Sequence, residues 1–198
     1  MNWKPLEKFL PEGGLDFVEI WLKDIPLKLI VKNARRTKLG DYRFDPHSKR
    51  HRITIDGTLK SDAFFFVLTH EIAHLLVQIE FGSKVKPHGE EWKSTFGKML
   101  QDSLSIYESD LRNSIFRHAL NPKASVGADK QLFQKLFLKE NQLGNLVENL
   151  GENQKFRIGT RVFQRGNKRK IRYICKELKT GRMFLVNGQA IVDEIINE

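Results

Sequence analysis

A pair of histidines one helical turn apart, with a glutamate beside the first, is the feature of this sequence best suited to chemistry. The segment reads His70-Glu71-Ile72-Ala73-His74, an H-E-x-x-H motif. On a helix, residues i and i+4 project from one face, so both imidazoles can reach one Zn²⁺ at about 2.0–2.1 Å. Glu71 follows His70 by about 100° around the helix, which suits it to handle the proton of a water molecule rather than to bind the metal. The motif predicts a zinc site at His70 and His74 with Glu71 as the general base.

A catalytic zinc site needs a third protein ligand and one open position. Glu80, six residues after His74, lies on the far side of the helix and is a poor candidate. His88 is the predicted third ligand, because it lies in the loop after Gly82 and Gly89 allows the chain to turn sharply back. Alternative ligands remain among the neighbouring histidines and acids: His47, His51, Glu90 and Glu91.

The motif must lie on a helix for this geometry to hold. Residues 60–81 contain no Gly or Pro, Ser61 or Asp62 can cap the start, and Gly82 follows the last turn. The segment is apolar almost all round, which is typical of a buried helix. Its motif side chains nevertheless share one polar arc, and a buried imidazole or carboxylate costs free energy unless it is paired or bound to metal. The alternative is a pair of core histidines satisfied by hydrogen bonds, beside a solvent-facing glutamate.

The remaining pattern predicts an α+β fold in two parts, residues 1–125 and 126–198, divided within the linker-like stretch 121–130. The predicted elements of the first part are helices at 2–10, 14–23, 60–81, 89–103 and 108–119, strands at 27–31, 42–44 and 52–55, and a turn at Gly40-Asp41. Those of the second, β-rich part are a helix at 130–149, strands at 156–163, 171–175, 183–186 and 190–192, and hairpin turns at Gly166-Asn167 and Thr180-Gly181.

Positive charge is concentrated in two stretches of the chain. Residues 155–182 carry eleven Lys or Arg and one acid, so this stretch alone equals the net charge of +10. Residues 28–60 carry ten Lys or Arg and three acids. Clustered positive charge is typical of polyanion binding, and a solvated basic surface is the alternative. We predict sequence-tolerant DNA or RNA contacts in the 155–182 stretch, carried by Arg165, Lys168, Arg169, Lys170 and Arg172.

Three aromatic residues are interleaved with these charges: Phe156, Phe163 and Tyr173. They can stack on unpaired bases or form the core of a small β module. We expect the core for Phe156 and Phe163.

The composition, 40% hydrophobic and 29% charged, is that of a globular protein. No apolar run approaches the roughly 20 residues that cross a bilayer, and the N-terminal segment lacks the pattern of a secretory signal. The single cysteine, Cys175, can form neither an internal disulfide nor a multi-cysteine zinc site. We therefore expect a cytoplasmic protein with no membrane partner, whose metal is held by histidines and carboxylates.

The motif region resembles the SprT-like metallopeptidase family. Residues 67–74 (VLTHEIAH), followed by residues 88–92 (HGEEW), are similar to that family's H-E-[LI]-x-H and H-G-x-x-[WF] pair, and the resemblance covers residues 25–105. It implies a zincin-type domain with a small sheet and an active-site helix. It also implies one zinc per chain, held by His70, His74 and His88, with Glu71 as the catalytic acid and base. Spartan-type proteases of this family cleave proteins crosslinked to DNA, which implies a protein or peptide substrate and DNA-associated proteins as one class of target.

Residues 165–178 resemble the second half of the zinc ribbon that many SprT-like proteins carry. Only Cys175 remains of the cysteine pair, and Leu178 stands at the position of its partner. The resemblance therefore implies a degenerate ribbon-like module without a second zinc, held together by its own apolar residues.

Two functions from different classes follow. The first is a zinc metalloendopeptidase of the H-E-x-x-H type. The second is a nucleic-acid-binding protein with a structural or inactive zinc site. Glu71 favours the first, because a purely structural site has no need of a carboxylate at that point of the helix.

Overall fold

The computed structural model describes residues 2–33, 38–138 and 145–196. The chain divides into two compact units, residues 1–124 and residues 125–198. Helices and two separate β-sheets make the fold α+β, as the sequence predicts. Arg35 and Arg36, which belong to the second basic stretch, lie outside the described residues.

The sheet of the first unit has three strands: β1 (Leu27–Lys32), β2 (Gly40–Asp45) and β3 (Arg50–Asp56). Their order is β1-β3-β2, with β1 parallel and β2 antiparallel to the central β3. Strand β2 therefore lies at an edge of the sheet. The prediction of a turn at Gly40-Asp41 is wrong, because these residues begin β2 and pair with Ile55 and Thr54.

Within the described residues of this unit, four α-helices accompany the sheet: α1 (Gly14–Trp21), α2 (Ser61–Phe81), α3 (Glu90–Asp102) and α4 (Ser109–Leu120), preceded by a 3₁₀ segment, Lys4–Phe9. The long helix predicted at residues 60–81 is confirmed as α2. It ends at Gly82, whose φ of 65° and ψ of −153° suit a residue without Cβ. Helix α2 packs against β2, β3 and α3. The core between them consists of fully buried side chains, chiefly Ile53, Ile55, Phe64, Phe65, Leu68, Ile72, Trp92 and Phe96.

Helix α2 with its following turn, residues 61–84, is long and apolar enough to cross a membrane by length and composition alone. The sequence-based expectation that no segment has this length is therefore wrong. Of the most apolar 18-residue stretch of this helix, 61% is buried inside the protein, and Phe64, Leu68 and Ile72 have no solvent exposure. The core helix of a globular domain has the same composition, so this helix is weak support for a membrane span.

The second unit contains a short helix, α5 (Lys130–Phe137), and a five-stranded antiparallel sheet. Its strands are β4 (Lys155–Ile158), β5 (Arg161–Arg169), β6 (Arg172–Glu177), β7 (Met183–Asn187) and β8 (Glu194–Ile196), in the order β7-β6-β5-β4-β8. One face of the sheet packs into a core that includes Val147, Phe156, Phe163, Tyr173, Cys175 and Val192. Phe156 and Phe163 are core residues, as expected, and Tyr173 is one as well.

Several predicted boundaries in the second unit are wrong. The helix predicted at 130–149 ends at Phe137; residues 139–144 lie outside the described part of the chain, and residues 147–149 form a 3₁₀ turn. The strand predicted at 156–163 is a hairpin of β4 and β5, because Gly159 adopts a φ of 60°. The hairpin turn predicted at Gly166-Asn167 lies inside β5, where the register with β6 shifts, and the chain reverses at Lys170 instead. The last strand is β8 rather than residues 190–192.

Candidate metal centre

Helices α2 and α3 and the loop between them bring three imidazoles to one point. The Nε2 atom of His74 lies 3.3 Å from Nε2 of His70 and 3.0 Å from Nε2 of His88. All three ring nitrogens fall within 4.8 Å of one another. His70 and His74 share one face of α2, and the loop that follows Gly82 returns His88 to the same face.

These residues suit a bound metal ion. Three nitrogens at about 2.0–2.1 Å from a tetrahedral Zn²⁺ are separated by about 3.3–3.4 Å, close to the spacings in this cluster. A neutral imidazole has one N–H and one lone pair, so three converging Nε2 atoms cannot all be satisfied by hydrogen bonds to one another. A shared cation satisfies all three lone pairs at once. An all-histidine donor set is one that catalytic zinc sites use.

Burial keeps these histidines in the neutral form that binds metals. Desolvation lowers the pKa of His70 well below its ordinary value, and the neighbouring histidines lower it further. Desolvation and the adjacent His88 lower the pKa of His74 to about 4. Desolvation also lowers the pKa of His88. At neutral pH a metal ion therefore does not compete with protons for these nitrogens.

Trp92, the first large apolar residue of α3, holds the cluster in place. Its ring is fully buried; it stacks on His74 at 5.3 Å between centroids and meets the edges of His70 and His88 at 4.7 Å each. Its Nε1 donates a hydrogen bond to the carbonyl oxygen of His70 at 3.5 Å. Phe96, one turn further along α3, contacts the other side of His70. The sequence identifies Trp92 as part of a motif, and the packing defines its role.

Glu71 lies beside the three histidines, with 7% of its surface exposed. It packs against the backbone of Gly40 at the start of β2. A Cβ atom on Gly40 would lie 2.6 Å from Oε1 of Glu71 and 2.7 Å from Cγ1 of Val67. The Glu71 carboxylate therefore occupies space that a side chain at position 40 would fill. The sequence alone does not reveal this role of Gly40.

A cleft of about 830 Å³ opens in front of these residues. One wall is α2 and the loop carrying His88, and the other is formed by Lys38 and by strand β2 with the residue after it: Gly40, Asp41, Tyr42, Phe44 and Pro46. Successive residues of β2 point to opposite faces of the sheet, yet residues from both faces, such as Asp41 and Tyr42, line the cleft. The edge of β2 therefore borders the site.

Tyr42 is the polar aromatic residue of this wall. Its ring lies parallel to that of His74, with an interplanar angle of 7° and centroids 6.4 Å apart. Its hydroxyl forms a hydrogen bond of 2.8 Å with Nδ1 of His51 on β3. Burial raises the pKa of Tyr42 and lowers that of His51, so both groups are neutral at physiological pH.

The alternative ligands lie apart from the histidine cluster. His51 is committed to Tyr42 and stacks on Phe44 at 4.9 Å. His47 is exposed in the turn between β2 and β3. Glu90 is exposed and pairs with Lys93, and Glu91 lies in the first turn of α3, near Gly89. None of these four belongs to the group of three ligands.

The basic residues predicted to contact nucleic acid lie around the β5–β6 hairpin. Lys168, Arg169, Lys170 and Arg172 are exposed at its tip, where Arg169 pairs directly with Arg172 across the two strands. Arg165 is half-buried, and its guanidinium lies over the ring of Tyr173 at 4.3 Å from the centroid. Since Phe156, Phe163 and Tyr173 are buried, the suggestion that they stack on bases is wrong.

Cys175, predicted to remain from a zinc-ribbon pair, is a fully buried free thiol in the core of the second unit. Leu178 is exposed. Burial raises the pKa of the Cys175 thiol, so the environment disfavours the thiolate that a metal would need.

The fold and the site describe a small α+β domain with a three-histidine centre on a buried helix and a glutamate beside it. Residues 23–110 match the SprT-like family, and this segment of the chain is an SprT-like domain. Among curated proteins, the chain is similar to Protein SprT of Proteus mirabilis (strain HI4320), with 36% identity over 80 residues. This match covers 40% of the chain and 47% of the relative, so the chain spans about half of that protein's length. No solved structure matches the chain.

Proposed function

We propose that the first unit is a zinc-dependent metallopeptidase of the zincin type. The observation that carries the proposal is the convergence of the His70, His74 and His88 nitrogens beside the Glu71 carboxylate in one open cleft. The three histidines would hold one Zn²⁺ per chain. A bound Zn²⁺ supplies Lewis acidity, which polarises a peptide carbonyl and activates a water molecule for attack.

Glu71 carries the proton transfers. Its carboxylate accepts a proton from the attacking water and delivers that proton to the nitrogen of the leaving amine. Glu71 is 7% exposed and lines the cleft, and the backbone of Gly40 packs against its carboxylate. In the described part of the chain, no strand pairs with the outer edge of β2, so this edge can bind an extended peptide as an additional strand along the opposite wall.

The shape of the site favours a catalytic metal over a structural one. Structural zinc sites are closed by four protein ligands, whereas catalytic sites leave a position open. Among the described residues, the three histidines have no fourth His, Cys, Asp or Glu in their group. Their cluster lines a cleft large enough for several residues of a peptide.

The test compares wild type with Glu71→Gln, measuring zinc by elemental analysis and cleavage of an unfolded protein such as casein. We expect about one zinc per chain in both proteins and a loss of about 10²–10⁴ in rate for the variant, since an amide cannot accept the proton. Glu80→Gln is the matched control, because Glu80 lies exposed on the same helix and should change neither quantity. His70→Ala and His74→Ala should lose the metal. Equal cleavage by wild type and Glu71→Gln would reject the mechanism.

We further propose that the second unit binds DNA or RNA through the β5–β6 hairpin, which would direct the peptidase to proteins associated with nucleic acid. Like charges directly opposite one another destabilise a sheet, so the Arg169–Arg172 pair is costly without a polyanion. A cytoplasmic location belongs to the same proposal. The alternative, a nucleic-acid-binding protein with an inactive zinc site, predicts binding without cleavage.

Titration of labelled single- and double-stranded DNA at several salt concentrations tests this part. Reversing the charge of the four exposed hairpin residues should reduce the slope of log K against log [salt] by about 1 for each lost phosphate contact. The control reverses four exposed lysines of the first unit that lie outside the basic stretches, which keeps the net charge equal. The hairpin set is Lys168, Arg169, Lys170 and Arg172, and the control set is Lys4, Lys8, Lys23 and Lys98. Equal affinity of the two variants would contradict a binding role for the hairpin.

A further inference from the structure

The cleft contains a polar group that the proposed proton transfers do not use, the phenol of Tyr42. Tyr42 follows Gly40 by two residues on β2, so both face the same side of the sheet. That side is the one on which Gly40 meets Glu71, and Tyr42 there lies parallel to the ring of His74. Tyr42 thus lines the cleft opposite helix α2, on the same face of β2 as the Gly40 backbone against which Glu71 packs.

The geometry points to Tyr42 as the hydrogen-bond donor that stabilises the oxygen of the scissile carbonyl as it gains negative charge, with His51 as the residue that positions it. This inference rests on the proposed peptidase function. Amide hydrolysis places a full negative charge on that oxygen, and a fixed donor in a partly dehydrated cleft stabilises it strongly. The phenol keeps its hydrogen throughout, so no proton is transferred in this step.

The hydrogen bond to His51 defines how Tyr42 can act. A phenol has one hydrogen to donate and lone pairs to accept with. If Nδ1 of His51 carries the imidazole hydrogen, it donates to the Tyr42 oxygen over the observed 2.8 Å, and the hydrogen of the phenol remains free for the substrate. The opposite tautomer commits that hydrogen to His51. The inference therefore requires the Nδ1–H tautomer of His51.

The surroundings of His51 support a positioning role. Its ring is half-buried and packed between Tyr42 and Phe44, with centroids 6.1 Å and 4.9 Å away. Phe44 is its directly paired residue on β2, so the ring is held against the strand that carries Tyr42. His51 does not line the cleft, which places it behind Tyr42 rather than in contact with substrate.

The first test measures kinetics and affinity in zinc-loaded protein. The probe is a fluorogenic peptide whose cleavage by wild type has been mapped, together with its phosphinic analogue, in which a tetrahedral phosphinate replaces the cleaved amide. For Tyr42→Phe we expect kcat to fall by about 10²–10³ with KM and zinc content nearly unchanged. Affinity for the phosphinic peptide should fall by a similar factor, because it imitates the transition state. In a Glu71→Gln background, in which cleavage is slow enough for binding to be measured, Tyr42→Phe should leave affinity for the amide peptide unchanged.

The second test addresses His51 without relying on activity. Nitrogen-15 NMR of the zinc-loaded wild type distinguishes protonated from unprotonated ring nitrogens, and we expect Nδ1 of His51 to carry the hydrogen. His51→Leu should lower kcat, and His51→Asn, whose amide can donate from a position near Nδ1, should restore part of the loss. His47→Leu, in the exposed turn of the same hairpin, is the matched control and should retain wild-type kinetics.

The outcomes separate the two proposals. If zinc-loaded wild type cleaves no peptide, the peptidase proposal fails and this inference fails with it. If wild type and Tyr42→Phe cleave equally and bind the phosphinic peptide equally, this inference alone is wrong. An unprotonated Nδ1 on His51 would also overturn it, because the phenol's hydrogen would then belong to His51.

Discussion

Replacing Gly40 by alanine tests whether the backbone of β2 positions the Glu71 carboxylate for the proposed reaction. The added Cβ would lie 2.6 Å from Oε1 of Glu71, 2.8 Å from its Cγ and 2.7 Å from Cγ1 of Val67. Ordinary contact begins near 3.4 Å. Both contacts must be relieved: a small local adjustment can relieve the single contact with Val67, whereas the two contacts with Glu71 are relieved by displacing the end of its longer side chain, which is the carboxylate.

The magnitude follows from these distances. To reach 3.4 Å from 2.6 Å, the Glu71 oxygen must retreat by about 0.8 Å. A displacement of about 1 Å at a reacting group can cost about 10² in rate. Overpacking of this kind also costs about 1–3 kcal/mol of stability. We therefore expect Gly40→Ala to be folded and metal-bound, with peptidase activity reduced by about 10².

Gly57→Ala is the matched control. Its Cβ would meet Cγ1 of Val31 at 2.6 Å, as close as the nearest contact at Gly40, and this contact involves no residue of the cleft. Both variants should lose similar stability in urea unfolding, whereas only Gly40→Ala should lose activity per folded molecule. The assay combines urea unfolding, zinc analysis and cleavage of casein.

If Gly40→Ala retains the wild-type kcat while being as destabilised as Gly57→Ala, the claim that Gly40 positions the Glu71 carboxylate is refuted. In that case the strand or the helix has shifted instead of the carboxylate, and Glu71 has kept its place. A loss of zinc from Gly40→Ala would likewise contradict this role of Gly40, because the clash displaces Glu71 and leaves the three histidines in position.

Three further predictions concern the metal centre and the second unit. In metal-free protein, the pKa of His74 is about 4 against an ordinary value of 6.5. As the pH falls, the unfolded chain therefore takes up the His74 proton before the folded protein does. The free energy of unfolding should keep its full value above pH 6.5 and fall by up to about 3 kcal/mol as the pH drops towards 4. Urea unfolding of the chelator-treated wild type across this range should show a loss at least this large, because the pKa values of His70 and His88 are lowered as well. In His74→Gln the loss should be smaller by the share of His74, about 3 kcal/mol. Chelation itself should lower thermal stability, since free zinc at 100 times its Kd contributes about 2.7 kcal/mol; calorimetry in which chelator changes nothing would contradict a folded-state metal site. Cys175→Ser should destabilise the second unit by about 1–3 kcal/mol, because it buries a hydroxyl in an apolar core, while elemental analysis finds the zinc content unchanged; a drop in zinc would show that the thiol is a ligand.

The local part of the candidate site could be predicted from the sequence. The spacing of His70, Glu71 and His74 defines their relative placement as soon as the segment is helical, since i and i+4 share a face. The helix itself follows from a long apolar stretch without Gly or Pro that ends at Gly82. The proximity of His88 was a prediction from a loop, and the structure places its Nε2 atom 3.0 Å from that of His74. Whether these residues bind zinc stays a prediction.

Local sequence was a weaker guide to strands and turns. Gly40-Asp41 has turn composition, yet hydrogen bonding to β3 makes it part of a strand. Gly166-Asn167 also has turn composition, but β6 pairs beyond it and the chain reverses at Lys170. In both cases pairing with another strand overrides the preference of a dipeptide, because the partner's hydrogen bonds contribute more than the local conformational preference.

Only the tertiary structure decided what surrounds the three histidines. Trp92 lies against all of them because α3 packs on α2. Gly40 and Tyr42 reach the cleft because β2 runs along the same helix, and His51 on β3 is hydrogen-bonded to Tyr42. The sequence determined which side chains share one face of one helix, since backbone geometry repeats every few residues. The contacts between β2 and α2 depend instead on how two elements more than 15 residues apart in the chain are aligned, and that alignment is set by the packing of the whole core.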